Sequence, residues 1–310
     1  MEKRILVVSS ANIDFVMRTP TVPAAGETVT SMDKYSYIPG GKGANSAVTF
    51  ARLGDDCIFC ARVGQDANGR RLKEIYEKER IDTRYMSMDS RVPTGLASII
   101  VDESGQNRII VFPGANTKLS VEDVEDAFTC YPDAVYLQFE IPDKAILKAA
   151  ELANEKGIPL FVDAGPAKTT FPLDSLGQME IFSPNETETV AYTGIEPTNG
   201  EGCLRAAIRL SSLVHARYIV LKLGNRGAYI YDGKYYHFIP TVPVTVADTT
   251  GAGDIFTAAL THFYSQGIAI EEATYLANCA ASVSVSREGA YSSIPTLKEV
   301  LTFHDEHPMR

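Results

Sequence analysis

A regular alternation of short apolar runs and amphipathic helical stretches constrains this chain more than any other feature. The strand-like runs fall at residues 5–8, 57–63, 134–139, 160–162, 181–182 and 218–221; helical patterns fill the intervals at 44–53, 70–79, 121–128, 144–156, 186–192 and 202–212. Runs this short and apolar read as strands buried on both faces, and the helices between them supply the crossovers that parallel pairing needs. The expected fold is therefore a three-layer α/β/α arrangement around a mostly parallel central sheet. Ser120, followed three residues later by Asp123, marks one helix start. Near the end, strands at 228–231 and 235–239 flank Asp232-Gly233, a two-residue hairpin signal, and two helices are expected at 252–266 and 270–285.

Two segments interrupt the alternation, at about 13–38 and 94–112. Both carry short β-like stretches broken by Pro20, Pro23 and Gly26 or by Asp102-Glu103-Ser104-Gly105, and 97–101 with 108–112 reads as a hairpin. The two either join into a small separate sheet, a lid over the carboxyl ends of the main strands, or are unrelated surface excursions. A chain of 310 residues could form one large α/β domain or two; no linker, repeat or low-complexity tract divides it, and residues 1–310 are taken as one α/β domain carrying these two insertions.

Composition narrows the partners. A net charge of −10 without a dense basic cluster argues against nucleic acid or an acidic membrane surface, and no apolar run reaches transmembrane length. The apolar stretch in residues 1–10 is too short for a signal peptide, and Asn12 and Asp14 follow at once. Five cysteines, an odd number, suggest a reducing, cytoplasmic setting. Cys57 and Cys60 have CxxC spacing but lie in a β-like run, where positions three apart face opposite sides; they read as inert buried thiols.

Chemistry concentrates in a few polar segments. Asp248-Thr249-Thr250-Gly251-Ala252-Gly253-Asp254 opens an apolar helical pattern. Small residues at 251–253 let a ligand approach the backbone, and free N–H groups at a helix N-terminus favour an anion. Asp254 places a carboxylate beside that anion hole, where it can orient or deprotonate a hydroxyl attacking a phosphoryl group. Its position at a helix N-terminus is expected to keep its pKa low. Gly40-Gly41-Lys42-Gly43-Ala44-Asn45 also places glycines before a helix, with a cation and an amide suited to a polyhydroxylated ligand. Its spacing fits neither a Walker A loop nor a dinucleotide fingerprint.

Asn12, Asp14, Glu140 and Asp163 follow predicted strands, the edge at which open α/β sheets bind ligands. Asn185 and Glu188 share one face of a helix start; they either support a hydrated Mg²⁺ or simply cap the helix. Lys222-Leu223-Gly224-Asn225-Arg226-Gly227 lies between a strand and the hairpin and has glycines that can cradle phosphates.

Taken in order from Asn12 to Pro295, these segments resemble the ribokinase-like (PfkB) carbohydrate kinases. The Gly-Gly pair at 40–41 and the Asp248–Asp254 segment carry the resemblance. Gly-Gly-Lys-Gly-Ala-Asn, Asn-Ile-Asp at 12–14 and Pro-Gly-Ala-Asn at 113–116 are most similar to members acting on ribose. The resemblance implies ATP-dependent phosphorylation of a sugar's primary hydroxyl, D-ribose first, giving ribose 5-phosphate. It makes Asp254 the catalytic base and Gly251, Ala252 and Gly253 the anion hole. Asn12, Asp14, Gly40, Gly41, Lys42, Asn45 and Glu140 would hold the sugar. Asn185, Lys222, Gly224, Asn225, Gly227, Gly253 and Asn278 would line the nucleotide. Asn185 and Glu188 would support Mg²⁺ through water. Asp248, Thr250, Ser284, Arg287, Gly289 and Ser293 would surround an activating K⁺, several through backbone carbonyls. The lid would also form a homodimer interface. A kinase for another sugar or a nucleoside (deoxyribose, fructose, adenosine or pseudouridine) is the runner-up, followed by a sugar-binding regulator without catalysis.

Overall fold

A computed structural model describes residues 2–32, 35–104 and 106–309. Asp33 and Lys34 of the first insertion, and Gly105 of the second, lie outside the described residues, as do Met1 and Arg310. The strands are β1 (Arg4–Val8), β2 (Asn12–Thr19), β3 (Ser36–Gly40), β4 (Asp56–Gly64), β5 (Met86–Asp89), β6 (Gly95–Asp102), β7 (Asn107–Phe112), β8 (Ala134–Leu137), β9 (Leu160–Asp163), β10 (Gln178–Ser183), β11 (His215–Lys222), β12 (Ala228–Tyr231) and β13 (Tyr236–Ile239). The helices are α1 (Lys42–Leu53), α2 (Ala67–Lys78), α3 (Val121–Ala127), α4 (Asp143–Glu155), α5 (Glu186–Thr193), α6 (Gly200–Ser211), α7 (Ala252–Ser265), α8 (Ile270–Val285), α9 (Ala290–Ser293) and α10 (Leu297–Glu306).

The main sheet has the order β13-β12-β11-β10-β9-β8-β1-β4-β5. From β11 to β5 every pairing is parallel, while β12 and β13 return antiparallel as the expected hairpin. β1 lies inside the sheet: the chain moves outward through β4 and β5, then returns to β8 on the other flank of β1. That reversal leaves a crevice at the carboxyl ends of β1 and β8.

The period of two in each strand divides the core. Ile5 and Val7 of β1 pack with α1, α2, α7 and α8 on one face, while Leu6 and Val8 pack with α3, α4 and α6 on the other. All four are inaccessible to solvent, and burying each side chain contributes about 1.5–3 kcal/mol. Helix ends follow local chemistry: Ser120 and Asp123 form a reciprocal capping box, as the sequence suggests.

The two insertions share one sheet, of order β3-β2-β6-β7. β2 pairs antiparallel with β3 but parallel with β6, placing Asn12 opposite both Gly40 and Gly95. The hairpin β6–β7 extends slightly beyond its predicted limits. Three elements carried no sequence signal strong enough to anticipate them. β5, with sequence Met-Ser-Met-Asp, lacks an apolar run; α9 spans four residues; α10 has only one fully buried side chain, Val300.

Candidate active site

The first turn of α7 carries Asp254, which is 4% exposed. Gly251 caps this helix at φ +78°, a left-handed conformation that a side chain would strain. The N–H groups of Gly251, Gly253 and Asp254 find no acceptor among the described residues, whereas that of Ala252 reaches Thr249 O at 3.3 Å. The turn therefore offers unspent donors beside a carboxylate. Asn45 Nδ2 donates to Asp254 Oδ2 at 2.9 Å, and Lys42 Nζ stands 3.4 Å from Oδ1. Both partners come from α1, the helix opened by the second Gly-rich segment.

The expectation of a low pKa for Asp254 is overturned. Burial raises it; Lys42 opposes, and Asp163 adds to the rise, leaving the group at about 6. Desolvation and neighbouring negative charge outweigh the helix terminus. The Lys42 ammonium, partly open to solvent at 31%, is stabilised in its charged form by Asp254 first and by Asp163 and Glu140 beyond it.

Asp14 projects from β2 toward Gly40 of β3. A Cβ on Gly40 would stand 2.2 Å from the Asp14 carboxylate, so only glycine leaves room for that carboxylate where it stands. Burial, then Glu140 and Asp254, push the Asp14 carboxyl up to about 7. Glu140 accepts from Ser10 Oγ at 2.5 Å and from Lys42 N at 3.1 Å, tying the end of β8 to the start of α1. Asn12 Oδ1 accepts from Asn116 Nδ2 at 2.7 Å, and Asn116 Oδ1 accepts from Ala11 N at 2.9 Å. Asn12, Asp14, Gly40, Gly41, Lys42, Asn45 and Glu140 thus gather around one side of Asp254.

A cleft of about 820 Å³ opens on the other side. Asn185, Lys222, Gly224, Asn225, Gly227, Gly253 and Asn278 all line it, and Val242, Val246 and Phe256 give it an apolar wall. This volume lies within the usual range for small-molecule and cofactor sites. Two side chains are less available than their sequence positions suggest. The Lys222 ammonium is turned onto Asp163 Oδ1 at 2.8 Å, and Asn278 Nδ2 is committed to the carbonyls of Ile239 and Pro240.

The pfkB family carbohydrate kinase model matches residues 2–297. The chain belongs to the pfkB family of carbohydrate kinases. This kinase is 33% identical over 308 residues to the ribokinase of Haemophilus influenzae, covering 98% of this chain and 99% of that one. A deoxyribokinase of Salmonella typhi is 30% identical over 299 residues, covering 95% and 96%. The structure of Arabidopsis thaliana ribokinase complexed with ribose and ATP superposes with a TM-score of 0.89 at 34% identity, covering 98% of this kinase and 99% of the other chain.

The kinase's metal-site candidates differ in how much of their donor capacity is free. Asn185 and Glu188 form a capping box: Asn185 Oδ1 accepts from Glu188 N and Glu188 Oε2 accepts from Asn185 N, both at 2.8 Å. Capping leaves Glu188 Oε1, which lies where a Cβ on Gly165 would fall and so faces a space that only glycine leaves open. One free carboxylate oxygen fits a hydrated Mg²⁺ held mainly by phosphate and water. Asp248 and Thr250 meet the segment after α8. Asp248 Oδ2 accepts from Gly289 N at 3.0 Å, and Ser284 Oγ lies 2.8 Å from Ser293 Oγ. Burial opposes ionisation of Asp248, but hydrogen bonds from Thr250 and Gly289 hold its pKa below the ordinary value. Arg287 points away, to Glu299 at 2.6 Å, so only its carbonyl can serve a cation there.

Sequence reasoning placed Asp163 at the ligand-binding edge without a partner and gave Ser10 and Asn116 no individual role. Each belongs to a polar segment at a strand end or turn, but only the fold shows which neighbour it touches.

Proposed function

We propose that the chain transfers the γ-phosphoryl group of ATP to the primary hydroxyl of a pentose, D-ribose being the favoured substrate. One observation carries the reading: Asp254 touches the Gly40–Asn45 helix start and directly follows Gly253, which lines the large cleft, with unspent N–H donors beside it. The ribokinase relatives support ribose as the sugar. The deoxyribokinase relative favours deoxyribose as the second reading.

In this reading Asp254 receives the proton of the attacking hydroxyl. A pKa raised to about 6 suits a base working near neutral pH better than an ordinary aspartate would. Lys42 and the free N–H groups of Gly251 and Gly253 compensate charge on the transferring phosphoryl group, whose loose transition state depends on positioning and electrostatics. Asp14 and Glu140 orient the sugar. Glu188 and Asn185 would hold Mg²⁺ through water, and Mg²⁺ held there would supply positive charge to offset the negative charge of the phosphates. Carbonyls near Asp248, Thr250, Ser284, Arg287 and Gly289, with Ser293, suit K⁺.

We read the chain as one domain with the small sheet as its lid. We also read that sheet as a homodimer interface, because Ile109, Ile110, Val111 and Phe112 on its outer strand are 49–72% exposed. Five free, buried cysteines accord with a cytoplasmic location.

The test is a panel of ribose, deoxyribose, fructose, adenosine and pseudouridine with coupled ADP detection, run in K⁺ and in Na⁺, alongside Asp254→Asn. Turnover on ribose should lead the panel and fall when K⁺ is withdrawn. Asp254→Asn should lose about 10²–10⁴ in kcat. Wild-type turnover by Asp254→Asn would refute the assignment of the base.

A further inference from the structure

Beneath the anion-binding turn lies a buried ion pair that the proposed reaction does not use. Asp163 at the end of β9 is 1% exposed and Lys222 at the end of β11 is 9% exposed. Lys222 Nζ sits 2.8 Å from Asp163 Oδ1 and 3.2 Å from Thr257 Oγ1. Thr257, one turn into α7, donates its hydroxyl back to Gly253 O at 3.1 Å. The same ammonium lies 3.6 Å from where a Cβ on Gly253 would stand. Asp163 Oδ2 is buried with no hydrogen-bond partner among the described residues.

A buried pair of this kind is weak evidence for stability: desolvating both charges often cancels their attraction, and an apolar pair can serve as well. This pair also leaves one carboxylate oxygen unsatisfied. Its position offers another reason for it, since the chain Asp163–Lys222–Thr257–Gly253 ends on the carbonyl of the residue before Asp254.

We propose that Asp163 and Lys222 act as one positioning unit: the carboxylate holds the ammonium against Thr257 and Gly253, and so fixes the first turn of α7, where the phosphate-facing N–H groups and Asp254 sit. The inference rests on the reading of Asp254 as base. It makes Asp163 and Lys222 positioning residues, acting through α7.

The pair is neutral as a whole, but each half alone is not. Asp254 also faces Lys42 and Asn45 from α1, Asp14 from β2 and Glu140 beyond β8, and Glu188 of α5 acts on Lys42. Removing one half of the pair therefore changes the charge beneath Asp254 by one unit, while removing both restores it. A pair with no positioning role predicts that the double variant, its charge restored, recovers wild-type kcat at whatever stability it keeps.

The experiment compares kcat–pH profiles of the full-length enzyme with those of Asp163→Asn, Lys222→Met, the double variant and Lys222→Arg, with thermal melts of each. Asp163→Asn should move the acid limb to lower pH and Lys222→Met to higher pH, each by about one unit. The double variant should return the limb close to wild type while kcat stays reduced about tenfold or more, because the turn is no longer held. Lys222→Arg keeps the charge and should keep the limb, at reduced kcat; it also tests the idea if Lys222→Met does not fold. Sugar KM should change by less than about threefold throughout, as expected when uniform binding is untouched. Limbs that stay fixed, or that move in the same direction in both single variants, would overturn the inference. An active Asp254→Asn would instead remove the reading on which it rests, so the two failures can be told apart.

Discussion

Protonation of Asp14 should control sugar binding near neutral pH. The carboxyl is pushed up to about 7 by burial first and by Glu140 and Asp254 next. A sugar presenting two hydroxyl donors needs the ionised form, so binding should release a proton where Asp14 is mostly protonated. With a pKa near 7, the ionised fraction rises from about a tenth at pH 6 to about nine-tenths at pH 8, and ribose affinity should rise about tenfold over that interval. Asp254→Asn protein suits the measurement, because it removes both chemistry and the titration of the neighbouring carboxylate. Losing that charge also lowers the Asp14 pKa somewhat, so the midpoint will shift toward acid. Calorimetry in two buffers of different ionisation enthalpy reads the proton directly: more than half a proton per sugar at pH 6 is the expected result, on the order set by the same midpoint. The unliganded protein should show the linked effect with opposite sign. A carboxyl whose folded pKa is raised favours folding most below its unfolded value of about 3.8, and that contribution is lost as pH climbs through 7. A pH-independent Kd between 6 and 8, with no proton exchange, would refute the reasoning.

Gly40→Ala should displace the Asp14 carboxylate, which lies 2.2 Å from the new Cβ position; sugar KM should rise about tenfold or more while nucleotide KM holds, as initial-rate kinetics will show. Asn116→Ala should cost about 1–3 kcal/mol in denaturant unfolding, since it strands the buried N–H of Ala11 and frees Asn12. Ile110→Asp, at a position 72% exposed on β7, should leave turnover nearly unchanged but shift a lid-mediated dimer toward monomer in sedimentation velocity. An unchanged sedimentation coefficient would count against the lid as interface.

The main sheet was readable because its strands and helices announce themselves by periodicity: the predicted helix at 270–285 matches α8, and β1 differs by one residue. The small sheet was readable only as two segments. Its defining contact, the parallel pairing of β2 with β6, joins residues distant in the chain and leaves no local pattern. The site shows the same division. Glycines before helices mark two turns open to a ligand, yet that Lys42 and Asn45 converge on Asp254 depends on how α1 crosses α7. The misjudged pKa of Asp254 has the same origin: the helix terminus is visible in sequence, whereas burial and the approach of Asp163 are tertiary facts.

The parallel register of β2 and β6 has a consequence for folding and exchange. Asp14 is itself part of the small sheet, paired with Ile38 on one side and Ala97 on the other. Closing a contact between distant segments costs loop entropy before any reward, so the small sheet should consolidate late and open early. Opening it would unmake the proposed sugar subsite while leaving the cleft proposed for the nucleotide intact, since no residue lining that cleft belongs to the small sheet. Sugar should therefore act on this protein as a folding ligand for its least stable part, slowing amide exchange in β2, β3 and β6, whereas nucleotide alone should leave those amides exchanging as before.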